Sequence, residues 1–164
     1  MTVTDELLRN SEAYSRDFAK GHLAMPPALN VAIVACMDAR INPYGIFGLE
    51  EGDAHVIRNA GGAITGDVIR SLVISQRLLG TTEIILVHHF DCGMLTFKGD
   101  DFLGAVEEET GIRPPWATEA FVDPVLDVHQ SLARIKASPF LIHTDKVRGF
   151  VYDDKDGRLT EVKP

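Results

Sequence analysis

Short β-prone runs recur along the chain, and two of them break off where cysteines and ionisable residues gather. Val31–Ala35, Ala54–Arg58 and Glu83–Val87 read as strands, because runs of this length rich in Val and Ile are too short for helices. Helical patterns alternate with them. Thr65 is a suitable N-cap for a helix carrying Val68, Ile69, Leu72, Val73 and Leu79, closed by Gly80. Asp100–Glu109 reads as a short helix. Asp123-Pro124 is a cap followed by proline at the first helical position, ahead of Val125, Val128, Leu132 and Ile135. A last strand over Val147–Tyr152 turns at Asp156-Gly157 and is expected to pair with Leu159–Val162. Strands alternating with helices predict an α/β fold with a mostly parallel central sheet flanked by helices. Ligands bind beyond the carboxyl ends of the strands in such sheets.

The chain of 164 residues suits one domain, residues 1–164. A mixed apolar and charged stretch from about Asp5 to Lys20, with Leu7, Leu8, Tyr14 and Phe18, predicts an amphipathic helix. Gly21 and Pro26-Pro27 follow it, so residues 1–25 are expected to form an N-terminal helical arm. The net charge of -8 disfavours nucleic acid, which calls for a concentrated basic face. No apolar run is long enough for a bilayer, and Met-Thr-Val-Thr-Asp-Glu lacks a signal-peptide pattern, so a cytoplasmic location is expected.

The two cysteines of the chain both sit where a strand runs out. Cys36 ends the run from Val31, and Cys92 follows the third strand in His88-His89-Phe90-Asp91-Cys92-Gly93. Two thiols and a histidine three residues before the second form a soft-metal set of three ligands. Zinc suits these donors, and three protein ligands with an open fourth position mark a catalytic site rather than a structural one. Buried apolar filler is the common role of a free cysteine. Placement at two strand ends and the short His-x-x-Cys spacing favour the metal instead. A redox pair is disfavoured because there is no Cys-x-x-Cys.

Asp38 and Arg40 flank Cys36 at alternate positions, so an extended backbone points all three the same way. An aspartate beside a metal can ligate it or accept a hydrogen bond from metal-bound water. The guanidinium holds that carboxylate ionised and orients it.

Cys36-x-Asp38-x-Arg40, Arg58-Asn59-Ala60-Gly61 and His89-x-x-Cys92-Gly93 together resemble the signature of β-class carbonic anhydrases, in order and in intervening length. The form of these motifs is most similar to the short actinobacterial members. The resemblance implies zinc held by Cys36, His89 and Cys92, with Asp38 and Arg40 as a catalytic dyad. It implies that Asp38 takes the fourth zinc position in a closed form and is drawn away by Arg40 in an open one. It also implies a homodimer or dimer of dimers, with the N-terminal helix reaching over the partner. A bound zinc lowers the pKa of water from about 15.7 to about 7, giving hydroxide that attacks CO2 to form bicarbonate. Gly61, Gly62 and Gly93 are expected to let backbone come close to so small a substrate.

Plant-like members carry a glutamine at the place of Pro27, an aromatic at His55 and a tyrosine at Ile74. His55 is a candidate substrate-pocket residue by that correspondence, with a structural histidine or a proton shuttle as its alternatives. His88 should face away from His89 and serve the structure. Trp116 could cover an interface or fill a core. Gly61-Gly62 also resembles relatives that hydrolyse carbonyl sulfide (COS) or carbon disulfide with the same zinc set. A non-catalytic zinc module is the remaining reading, and it leaves the Asp38–Arg40 pair without a use.

Overall fold

A computed structural model of the chain describes residues 2–163. Strands β1 (Val31–Cys36), β2 (Ala54–Asn59), β3 (Glu83–His89), β4 (Val147–Tyr152) and β5 (Leu159–Val162) form one sheet in the order β2-β1-β3-β4-β5. The first four are parallel, and β5 pairs antiparallel with β4 through the expected hairpin. The two central strands carry apolar side chains on both faces, as parallel strands covered by helices must. Both run further than the apolar pattern alone indicates, β1 taking in Cys36 and β3 taking in His88 and His89.

The described residues form five α-helices, α1 (Val3–Arg16), α2 (Pro43–Phe47), α3 (Gly66–Leu79), α4 (Gly99–Thr110) and α5 (Pro124–Lys136), of which α3 and α5 pack directly on the sheet. The caps fall where expected. Thr65 accepts the Val68 N–H at the start of α3, and Asp123 accepts the N–H groups of Val125 and Leu126 at the start of α5. Val68 and Leu72 of α3 meet Val128, Leu132 and Ile135 of α5 over Val34, Ile84, Leu86 and Val151, in the larger core cluster. Alternate residues Ile33, Ala35 and Val87 face the other way, against Phe47, Leu49 and Leu159. Each such Val, Leu or Ile side chain contributes about 1.5–3 kcal/mol when fully buried, so this double-sided core fixes the strand ends that carry the chemistry.

The arm departs from expectation. A capping box between Thr2 and Asp5 starts α1 early, and the helix ends at Arg16 rather than near Lys20. None of its residues is buried. Glu51 of the body accepts a hydrogen bond from the Tyr14 hydroxyl and pairs with Lys20. Trp116 is 54% exposed and so does not fill a core. Among the described residues, no helix is long and apolar enough to cross a membrane.

Candidate metal centre and active site

The chain leaves β1 to form β2 on one side and returns to form β3 on the other, so the crevice between the carboxyl ends of β1 and β3 is the switch point of the sheet. Cys36 is the last residue of β1 and His89 the last of β3. Cys92 lies three residues on, at the entry to a 3-10 turn over Gly93–Leu95. Their ligating atoms all fall within 4.8 Å of one another, and all three residues are buried. The sulfurs of Cys36 and Cys92 are 3.8 Å apart. Two thiolates bound tetrahedrally to zinc at about 2.3 Å stand about 3.8 Å from each other, so the spacing fits that ion.

The imidazole fits as well. His89 Nδ1 is 2.8 Å from Asp154 Oδ1. With Nδ1–H donating to that carboxylate, the lone pair lies on Nε2, which is buried without a hydrogen-bond partner. A buried acceptor facing two sulfurs is costly unless a cation meets it. Carboxylate support of a ligating histidine is the usual outer-shell arrangement of a metal site.

The electrostatics of the three donors are tightly linked. Hydrogen bonding with Cys92 draws the Cys36 thiol below the ordinary thiol range, against the opposing effect of burial and with help from His89. Cys92 is pushed above the ordinary thiol range, first by its Cys36 partner and then by burial. Burial works against a charged His89, but the Cys36 sulfur and the Asp154 carboxylate outweigh it, and the net shift is upward.

The Asp38–Arg40 pair forms differently from the extended geometry the alternation suggests. The strand ends at Cys36, and a turn follows in which Asp38 Oδ1 accepts the Arg40 N–H at 2.9 Å and the Ile41 N–H reaches the Asp38 carbonyl. An aspartate side chain that bonds the backbone two residues on favours such a turn over an extended strand. Arg40 then folds back, with Nε donating to Asp38 Oδ1 at 2.9 Å and Nη2 to Oδ2 at 2.8 Å. This fork holds the Asp38 carboxyl well below the usual carboxylate range. Asp38 stands outside the three-ligand group, with both of its oxygens on Arg40. Arg58 fixes the start of this turn by donating to the carbonyl oxygens of Cys36 at 3.0 Å and Asp38 at 2.6 Å.

A cleft of about 130 Å³ opens beside the sulfurs, lined by Cys36, Asp38, Gly61, Cys92, Gly93 and Met94 among others. Gly61 has φ +79°, and a Cβ there would stand 3.0 Å from Met94 and 3.3 Å from Phe121. Gly93 lines the same cleft with open space around it. Gly62 does not line it. Its φ is +69°, and a Cβ would press on the backbone of Ala35, Cys36 and Val87, so Gly62 serves the close approach of the turn to β1 and β3.

His55 also stands apart from the cleft within the chain. It pairs with Ala32 near the start of β2, about 13 Å along the strand from Asn59 at about 3.3 Å per residue. Its Nδ1 meets Ser75 Oγ at 2.7 Å, and it faces a separate pocket with Arg70 and Ile74. His88 points away from His89, as alternation requires, with Nε2 2.6 Å from Asp127 and its ring stacked on Phe121. Asp154 is the site residue that the sequence pattern does not single out. It lies in an acidic turn, Asp153-Asp154-Lys155-Asp156-Gly157, that reads only as a hairpin. The pairing of His89 with Tyr152 across β3 and β4 is what carries it to the imidazole.

Fold and site together define an α/β protein with a Cys-His-Cys cluster, of the kind that can hold a metal ion, beside a carboxylate–guanidinium pair at its sheet switch point. Residues 31–130 match the carbonic anhydrase family model. The chain is 59% identical to β-carbonic anhydrase 1 of Mycobacterium tuberculosis over 164 residues, covering 100% of both. It is 38% identical over 122 residues to a carbon disulfide hydrolase of Acidianus sp., covering 74% of this chain and 56% of that relative. A solved carbonic anhydrase of Streptococcus mutans superposes with a TM-score of 0.92 at 38% identity, over 99% of each chain. The chain belongs to the β-class carbonic anhydrase family and is a carbonate dehydratase.

Proposed function

We propose that the chain hydrates CO2 reversibly to bicarbonate and a proton, at a zinc ion held by Cys36, His89 and Cys92. The observation that carries this reading is the buried, unpartnered Nε2 of His89 facing two sulfurs, next to a carboxylate already committed to an arginine. A zinc ion held by these three residues would supply Lewis acidity, enough to bring the pKa of a water to about 7 and so give a nucleophile at neutral pH. The rest falls to the protein. Asp154 holds the His89 ring in the tautomer that presents Nε2. Asp38, kept ionised by Arg40, accepts a hydrogen bond from the attacking water and orients its lone pair. Arg58 fixes the carbonyls of the loop that carries Asp38. Gly61 and Gly93 leave the cleft open to a small linear substrate.

Hydrolysis of COS or carbon disulfide is the second reading, favoured by the carbon disulfide hydrolase relatives and by the apolar Met37, Ala60 and Met94 around the sulfurs. The full-length match to a β-carbonic anhydrase ranks CO2 first. Stopped-flow CO2 hydration and COS and carbon disulfide turnover, measured on one zinc-loaded preparation, decide between them. CO2 hydration is expected to dominate. Faster turnover of either sulfur compound would overturn the assignment, and no turnover of any would leave a non-catalytic zinc module.

The same reading makes residues 1–164 one domain with residues 1–25 as its arm, in a cytoplasmic protein whose free thiols suit a reducing compartment. It makes the working unit a homodimer or dimer of dimers. An arm with Leu7 60% and Leu8 59% exposed, left uncovered by the described residues of its own chain, suits a second copy. Light scattering at micromolar concentration is expected to give at least a dimer, and a fully active monomer would refute it.

A further inference from the structure

Arg40 is gripped from two sides, by Asp38 on one and by Asp91 on the other. On the other side, Nη1 donates to Asp91 Oδ2 at 2.6 Å and Nη2 to the Asp91 carbonyl oxygen at 2.9 Å. With its two bonds to Asp38, four of the five guanidinium N–H groups are directed by these two aspartates. Asp91 is itself anchored, because its backbone N–H donates to Asp154 Oδ2 at 2.9 Å. The other oxygen of Asp154 receives His89. A continuous chain of hydrogen bonds thus runs from His89 through Asp154, Asp91 and Arg40 to Asp38.

We propose that Asp91 is a positioning residue that clamps the Arg40 guanidinium. The clamp fixes the direction in which Asp38 is held and ties the carboxylate–guanidinium pair to the His89 ring. Exposure makes the need plain. The Arg40 side chain is 53% exposed, and a flexible arginine at a surface holds a carboxylate loosely unless a second partner fixes its plane. Asp91 is 69% exposed, too open for its ion pair to matter to folding. Its contribution is therefore to orientation. A bidentate guanidinium bonded to a side-chain oxygen on one edge and a main-chain oxygen beside it cannot swing without breaking both. The kinetic part of the test rests on the function proposed above, and the spectroscopic part does not.

The test uses zinc-loaded, 15N-labelled protein and follows the Nε–H signal of Arg40, assigned by its loss in Arg40→Lys. Asp91→Ala is expected to raise solvent exchange of that Nε–H by about tenfold or more, with zinc content and Tm unchanged. Asp91→Asn, which keeps an acceptor oxygen, should fall between it and wild type. In a double-mutant cycle, Asp91→Ala should lower kcat for CO2 hydration about tenfold, and have almost no further effect on top of Arg40→Lys. Unchanged Arg40 exchange in both Asp91 variants overturns the clamp. An equal kcat loss in the Arg40→Lys background does so too, because Asp91 would then act by another route. If the wild type does not hydrate CO2 but Asp91→Ala still loosens Arg40, the clamp stands and the proposed reaction falls.

Discussion

Replacing Cys92 with alanine is expected to take the protein from about one zinc per chain to less than about a tenth. A zinc site with three protein ligands has none to spare, and two remaining donors cannot hold the ion against a mild chelator. The loss should exceed what the fold loses, because Cys92 lies in a loop beyond β3 and not in the sheet. Asp154→Asn gives the graded counterpart. The ligands all remain, but the carboxylate that orients His89 is gone, and such outer-shell changes reduce metal affinity about 10- to 100-fold. Atomic absorption on the purified proteins, followed by chelator competition, reads both effects. Full zinc in Cys92→Ala would refute the ligand set. Wild-type affinity in Asp154→Asn would leave Asp154 as a hairpin residue only.

Asp38→Asn should produce the opposite pattern, with zinc retained and turnover reduced by about 10²- to 10³-fold, within the range that positioned acid–base groups supply. The asparagine is nearly isosteric, yet it loses the charge-assisted fork with Arg40 and presents an NH2 where an acceptor is needed. Asp38 is not among the three clustered residues, so removing its charge takes away none of the donors proposed to hold the metal. Its carboxyl is held below the usual carboxylate range, so it stays ionised across neutral and alkaline pH, and the loss should appear at every pH in that window. Arg40→Ala separates orientation from access. It frees the Asp38 carboxylate, which can then compete with water for the metal, and activity should be suppressed most near neutrality and recover in alkali. The pH–rate profiles and zinc contents of the three proteins decide the matter. Wild-type turnover in zinc-loaded Asp38→Asn would reduce the pair to a surface contact.

Much of this was legible in the residues themselves, because local physics sets it. The Val31, Ala54 and Glu83 runs have no helical reading at their length, and Thr65 and Asp123 cap helices by bonding N–H groups two or three residues away. The Cys36, His89 and Cys92 set follows from the thiols' placement at strand ends once the sheet is parallel. What lay beyond the sequence depends on strand order and register. Asp154 reaches His89 across 65 residues, and Asp91 reaches Arg40 across 51. Neither separation carries a periodic signal. The alternation of Cys36, Asp38 and Arg40 led to the right partners by the wrong geometry, since a side-chain-stabilised turn and not an extended strand brings Arg40 back to Asp38. His55 sits near the start of its strand and meets Ser75 of α3 instead of the cleft, a neighbour that only the packing of α3 on β2 reveals. Local patterning along the chain specifies which elements form and which donors can bind a metal. The tertiary structure alone decided which carboxylates orient them, because a hydrogen bond between distant segments exists only after the core has fixed their register.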